Sequence, residues 1–265
     1  MNNRINLKKC IVMMVFLVPV LTGGAWAYSG GSGTLEDPYQ IGDANDMNKI
    51  GTHPNDWDKH FLLVNDINLA QFTGTEFNII GPNYIVPFTG VFDGNGHTIS
   101  NFTYTSSAIN YIGLFGYVEG PNAEIRGVGL VDPNIDAGTG DHVGSLVGSL
   151  KNGTITNCNS IDGSVSGDGY VGGLVGEISY STVSNSYATC NVSGYSDVGG
   201  LEGQNHYSTV SNSYATGTVS GYSGVGGLVG RNGGGTVSSS YATGSVIGDV
   251  GSDWVGGLVG MHVGG

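Results

Sequence analysis

Gly172-Gly173-Leu174-Val175-Gly176 returns as Gly226-Gly227-Leu228-Val229-Gly230 and again as Gly256-Gly257-Leu258-Val259-Gly260. Looser copies are Gly199-Gly200-Leu201-Glu202-Gly203, Gly144-Ser145-Leu146-Val147-Gly148 and Ile112-Gly113-Leu114-Phe115-Gly116. Their leucines, Leu114, Leu146, Leu174, Leu201, Leu228 and Leu258, follow one another at intervals of 32, 28, 27, 27 and 30 residues. A period of that size marks a stacked array of supersecondary units.

The residues between the copies set the kind of unit. Thr182-Val183-Ser184-Asn185-Ser186-Tyr187-Ala188-Thr189 recurs from Thr209 to Thr216, and from Thr236 to Thr243 with Ser239 in place of the asparagine. Strict alternation puts Ser213, Ala215, Gly217 and Val219 on one face and Tyr214, Thr216, Thr218 and Ser220 on the other. The small-residue face suits a crowded interior, and the Tyr/Thr face suits water. Asn157, Asn185 and Asn212 hold equivalent places before a strand, where asparagine tolerates the left-handed conformation of a tight corner and can pair with the asparagine above. A 27-residue unit has room for about three strands of 4 to 6 residues with short corners. Parallel stacking of such units makes a β-helix. Propeller blades need about 40 to 50 residues per repeat, and a leucine-rich repeat needs more leucines than each copy has.

Composition agrees. Glycine makes up 49 of 265 residues without a collagen-like period of three, well above the usual share of about 7 %. Few charges and 39 % hydrophobic residues fit a folded β structure with many turns. At the N-terminus, Arg4, Lys8 and Lys9 precede an apolar run from Cys10 to Leu21 and the small-residue site Ala25-Trp26-Ala27. That pattern predicts a secretory signal cleaved after Ala27; the run is too short to span a bilayer, which takes about 20 residues. Without it the chain keeps five basic and 21 acidic residues. A charge of −16 disfavours nucleic acid, whose phosphates call for Lys and Arg, and repels anionic surfaces. Cys158 and Cys190 lie on adjacent repeats four positions out of register. The offset is about 13 Å along a strand, and bridged Cα atoms lie within about 7 Å, so no disulfide is expected.

Three regions follow: the signal over 1–27, an N-terminal cap and first coils over 28–105, and the repeat array over 106–265. The cap holds the one helix expected, Asp43 to Ile50, with Asp43 as N-cap and Met47 and Ile50 on one face. Short strands are expected at Phe61–Val64, Phe77–Ile80, Gly90–Phe92 and His97–Ile99. The chain stops straight after a motif with no polar cap, so a longer product is expected.

The Gly-Gly-Leu-Val-Gly phrase followed by Thr-Val-Ser-Asn-Ser-Tyr-Ala-Thr-Gly resembles the GLUG motif of bacterial secreted and surface proteins. The likeness covers roughly residues 110 to 265. Pro87 to Ile99 is similar to the lead-in that precedes GLUG arrays and to the opening coil of pectin-lyase-like β-helices. The resemblance implies an exported, right-handed parallel β-helix solenoid, found in adhesin-like proteins and in the non-catalytic part of immunoglobulin-A-cleaving metallopeptidases. It implies no single activity. One copy departs from the motif: Glu202 stands where the others are apolar.

Catalytic constellations are sparse. None of His53, His60, His97, His142, His206 and His262 belongs to an H-E-x-x-H pattern. No Asp-Asp pair is present, and the basic residues Arg126, Lys151 and Arg231 have no acid cluster beside them for a calcium-dependent lyase; an enzyme of that kind would require folding to gather acids and Arg126 into one groove. His97 in Asp93-Gly94-Asn95-Gly96-His97 reads as the edge of a turn. Asp56-Trp57-Asp58 and Asn65-Asp66 could offer oxygens to calcium, but no calcium-loop spacing is present, so no cofactor is expected. Asn101, Asn152 and Asn191 are glycosylation sequons by pattern alone. The sharpest binding candidates are Tyr187, Tyr214 and Tyr241. At equal phase they would stack about 4.8 Å apart, either as a ladder that stabilises the sheet or as an aromatic row for a glycan or a protein strand. The expectation is therefore a non-enzymatic secreted or cell-surface module for adhesion or ligand binding, with a glycan or surface protein as partner and no membrane span once the signal is removed. The alternative is an accessory solenoid of a larger exported peptidase or glycan-active enzyme.

Overall fold

A single apolar residue between two polar ones, such as Val183 between Thr182 and Ser184, makes a strand one inward side chain long. A backbone at positive φ then turns the chain. In the computed structural model, which describes residues 28–264, one coil runs through strands Val175–Ser179, Thr182–Ser184, Tyr187–Ala188, Asn191–Ser193 and Ser196–Gly199. Tyr180 and Asn185 turn it at φ 51° each, and Asp197 kinks its last strand at φ 51°. The unit thus holds five short strands where about three longer ones were expected. Tyrosine and aspartate, as well as asparagine and glycine, take the left-handed corners, so there are more corners than composition alone implies. Asn157, Asn185 and Asn212 are left-handed as expected (φ 54°, 51° and 50°). Their backbone N–H groups donate to the next coil; a side-chain amide bond between asparagines of adjacent coils occurs instead in the early coils, where Asn101 Nδ2 donates to Asn68 Oδ1 at 3.0 Å.

Stacking about seven such turns gives four sheets whose named strands pair in parallel, with eight, nine, six and seven strands. Register is strict: Ile155, Val183, Val210 and Val237 stand in line in the first sheet, flanked by columns of Thr154, Thr182, Thr209 and Thr236 and of Thr156, Ser184, Ser211 and Ser238. The motif leucines are hydrogen-bonded coil to coil, from Leu146 N–H to Leu174 O and on to Leu201, Leu228 and Leu258. Leu114, Leu146, Leu174, Leu201 and Leu228 are fully buried, whereas Leu258 in the last described coil is 39 % exposed. The glycines of the motif permit this closeness. A Cβ on Gly173 would lie 2.3 Å from the carbonyl oxygen of Gly200, and one on Gly200 would lie 2.2 Å from that of Gly227.

The N-terminal coils are filled with aromatic rings. Phe88 and Phe92 pack on Phe115 at 5.0 and 5.2 Å between centroids. The expected helix is Ala44–Ile50, capped by Asp43, whose Oδ1 accepts from Asn45 N and Asp46 N at 2.8 and 2.9 Å. Met47 and Ile50 are buried beneath it, and Trp57 Nε1 donates to Ile50 O at 2.8 Å. His60–Leu63, Val91–Asp93 and Thr98–Ser100 are strands. Phe77–Ile80 is not: only Ile80 bridges, to Phe115, because Pro82 and the turn at Gly81 (φ 61°) leave too short a run to pair. The signal segment 1–27 lies outside the described residues.

Candidate functional site

Repetition places like residues over like. Tyr187, Tyr214 and Tyr241 are aligned by register, with ring centroids 4.7 and 5.1 Å apart and planes within 2° and 5°. Tyr180 and Tyr207 stack at 5.6 Å, and Tyr195 and Tyr222 at 5.0 Å. Faces this close leave no room for a sugar ring between them. A ligand would meet the ring edges and hydroxyls, with Thr189, Thr216 and Thr243 alongside. Burial and the phenols on either side raise the Tyr214 pKa, so its hydroxyl stays a donor at neutral pH. Asn159 takes the same position one coil earlier, so the row begins at Tyr187.

A second surface breaks the repetition. Each motif copy is flanked by two residues that differ from coil to coil. Before it stand Tyr111, His142, Tyr170, Asp197, Gly224 and Trp254; after it stand Tyr117, Ser149, Glu177, Gln204, Arg231 and Met261. All six leading residues have positive φ, between 51° and 63°. The trailing residues share one register column of the six-stranded sheet. The last glycine of each motif lies against the leading residue of the coil before. A Cβ on Gly176 would meet the carbonyl carbon of His142 at 2.7 Å, and one on Gly230 would meet that of Asp197 at 2.5 Å. The residue after that glycine therefore lands beside the preceding coil's corner side chain.

Two inter-coil contacts result, one between a histidine and a carboxylate and one between a guanidinium and a carboxylate. His142 Nε2 lies 3.2 Å from Glu177 Oε2, and Arg231 Nη1 lies 3.9 Å from Asp197 Oδ2. The His142 ring is sandwiched between Tyr111 and Tyr170, 4.7 Å from each. Tyr84, in the loop before, meets both Tyr111 and Tyr117 at 6.5 Å. Burial pushes the Glu177 carboxyl up, but hydrogen bonds and charge from His142, with Ser149 and His206, hold it below its usual value. Asp197 goes the other way: burial raises it and Arg231 only partly compensates. A parallel column on the same face brings Glu119 to Lys151 at 3.0 Å. Aromatic rings, both signs of charge and amide groups thus share one wall, whereas the first sheet's outer wall carries threonine and serine over its last four coils.

Arg126 corrects one expectation. It does have acids beside it: Nε bonds Asp93 Oδ2 at 2.9 Å and Nη1 bonds Glu124 Oε2 at 2.7 Å. Asp93 stands in register with Arg126, and Glu124 lies two residues before Arg126 on the same strand; Asp93 and Arg126 edge a small cleft of about 140 Å³ lined also by His60 and Leu62. Burial tends to lower the guanidinium pKa, but hydrogen bonds and charge from Asp93 and Glu124 prevail and raise it, the reverse of what a general base needs. His97 sits at the end of a left-handed turn, 3.2 Å from Asp66. Of the oxygens considered for calcium, Asp56 takes the Tyr28 hydroxyl, Asp58 faces Lys59, and Asp66 accepts from Thr98 N. Among the described residues no three His, Cys, Asp or Glu side chains are grouped to hold a metal ion. Cys158 and Cys190 are free and buried.

The motif-flanking wall carries no repeated pattern of side chains, so neither period nor phase reveals it. Its signal in the sequence is variation at a near-constant distance from the recurring Leu-x-Gly core of the motif.

The GLUG motif profile matches residues 194–220 and 221–247. Over 158 residues, 58 % of this chain, the sequence is 35 % identical to halomucin of Haloquadratum walsbyi, of whose length the match covers 2 %. Over 146 residues, 53 % of this chain, it is 36 % identical to a glycine-rich candidate membrane protein of Evansella cellulosilytica, covering 16 % of it. The chain therefore spans a small part of these relatives. A solved structure of a candidate immunoglobulin A1 protease from Bacteroides ovatus superposes with a TM-score of 0.72 at 25 % identity, over 89 % of this chain and 77 % of that one.

Proposed function

We propose that this chain, a parallel β-solenoid carrying GLUG repeats, is an exported or surface-displayed module that binds a glycan or a protein and catalyses no reaction. The observation that carries this reading is the wall where the repeats differ, with Tyr111, His142, Tyr170, Glu177, Asp197 and Arg231 brought together by the motif. The Tyr187–Tyr214–Tyr241 stack supplies a second, uniform surface on another sheet. Contacts repeated once per coil make weak sites act together. Location outside the cell is supported by the likeness to halomucin and to a candidate membrane protein and by the signal pattern over 1–27. Among the described residues no helix is long and apolar enough to cross a membrane.

The alternative, an accessory solenoid of a larger exported enzyme, is favoured by the likeness to a candidate protease. Residues 28–265 displayed against glycan and host-protein arrays test the proposal. Binding lost in a His142→Ala/Glu177→Ala double variant places the ligand on the varied wall, and binding lost in Tyr214→Ala places it on the tyrosine stack. No binding on any array refutes a ligand-binding role and leaves an architectural one. N-terminal sequencing of the secreted product is expected to begin at Tyr28.

A further inference from the structure

Glu202 occupies an inward position. It stands in register between Val175 and Val229, is wholly buried, and neither of its carboxyl oxygens has a hydrogen-bond partner. The same column holds Val147 and Val259 in other coils. Nearby, Asn205 on the same strand and Asn232 on the next are buried, and each leaves one amide atom unpartnered. Three buried side chains short of partners thus lie on two adjacent strands, Glu202–His206 and Val229–Gly233.

The titratable groups on the packed elements are Tyr170, Glu177, Asp197, His206 and Arg231. They stand on the outer wall, and none contributes to the ionisation of Glu202. A carboxylate there would be wholly buried with no counter-charge, so the folded coil holds the neutral acid.

We propose that the coil carrying Glu202 is an alkali-sensitive break point in the solenoid, closed around the neutral acid and opened with release of one proton. The sign follows from linkage. Opened, Glu202 ionises above its ordinary value of about 4.3; closed, it keeps its proton to higher pH. The open state binds fewer protons, so closure weakens as pH rises, by about tenfold in the opening constant per pH unit between the two values. Because each coil contacts only its neighbours, the effect is confined to the interfaces above and below. Opening there would free unpaired parallel edges at Val175–Ser179 and Val229–Gly233, which can capture other strands.

Hydrogen exchange of residues 28–265 at pH 5, 6, 7 and 8, corrected for intrinsic exchange, tests this with 154–166 as internal reference. Protection over 194–220 is expected to fall as pH rises in the wild type relative to the reference, by at most about tenfold per pH unit. In Glu202→Gln it is expected to follow the reference. Glu202→Val, which restores the motif residue, is expected to exceed the wild type at every pH above 5. Asp197→Asn, which removes the other burial-raised acid nearby, on the strand just before Glu202, is expected to keep the wild-type slope. A flat wild-type profile, or the same slope in Glu202→Gln as in the wild type, would overturn the proposal.

Discussion

Replacing Gly200 by Ala is expected to destabilise the fold strongly, whereas in a polypeptide of residues 28–265 the same change at Gly257, in its last coil, is expected to stabilise slightly. The two glycines hold the same place in the motif, and neither has a positive φ. A Cβ on Gly200 would lie 2.2 Å from Gly227 O and 2.7 Å from the Ala215 Cβ, whereas one on Gly257 would have no heavy atom within 4 Å. Relief at Gly200 requires adjacent coils to part by about 1 Å out of a spacing of about 4.8 Å. That strains three inter-coil hydrogen bonds: Gly200 N to Gly226 O, Leu201 N to Leu228 O and Glu202 N to Leu228 O, now 3.2, 2.9 and 3.1 Å. At about 1 kcal/mol each, the cost is about 3 kcal/mol, or a fall of about 6 to 12 °C in Tm for a chain of this size. Gly257→Ala gains about 0.4 to 1 kcal/mol through the unfolded state. Urea unfolding of residues 28–265, followed by circular dichroism, measures both. Equal effects at the two positions would refute direct coil-on-coil stacking as the reason for the motif.

Tyr214 has a ring on each side and Tyr241 has one, so Tyr214→Ala is expected to cost about 1 to 3 kcal/mol in stacking and Tyr241→Ala about half that; denaturant midpoints of the two variants decide. The lowered pKa of Glu177 gives stability that is present above the ordinary carboxyl value and lost as pH falls through the lower folded one. Melts between pH 3 and 7 should show that loss in the wild type and a shallower one in Glu177→Gln, with the variant about 1 kcal/mol less stable at neutral pH. Burial lifts the thiols of Cys158 and Cys190 to about 12 and about 11. A thiol reagent at pH 8 is therefore expected to label neither in the folded chain of residues 28–265 and both in urea.

The period of the leucines and the alternation around Val183 and Val210 made the parallel solenoid legible, as did the Asp43 cap and its buried Met47 and Ile50. Strand count was not. Tyr180 and Asp197 at left-handed corners look, in sequence, like residues that continue a strand; only the closed coil forces them over. The tyrosine stack followed from equal phase alone. The pairs His142–Glu177 and Asp197–Arg231 did not, since their members are 35 and 34 residues apart and meet because a glycine lets one coil's corner lie across the next. Glu202 was visible as a departure, but its lack of any partner belongs to the packing.

The corner ahead of each motif sets a backbone conformation without dictating a side chain: tyrosine, histidine, aspartate, glycine and tryptophan all occupy it. Core and exterior are therefore uncoupled at that point. Copying one repeat into the middle of the array would lengthen the molecule by a single step and add two new letters to its outer wall while leaving the interior unaltered. Duplication and drift can therefore rewrite that outer wall one coil at a time, because each coil packs only on its neighbours.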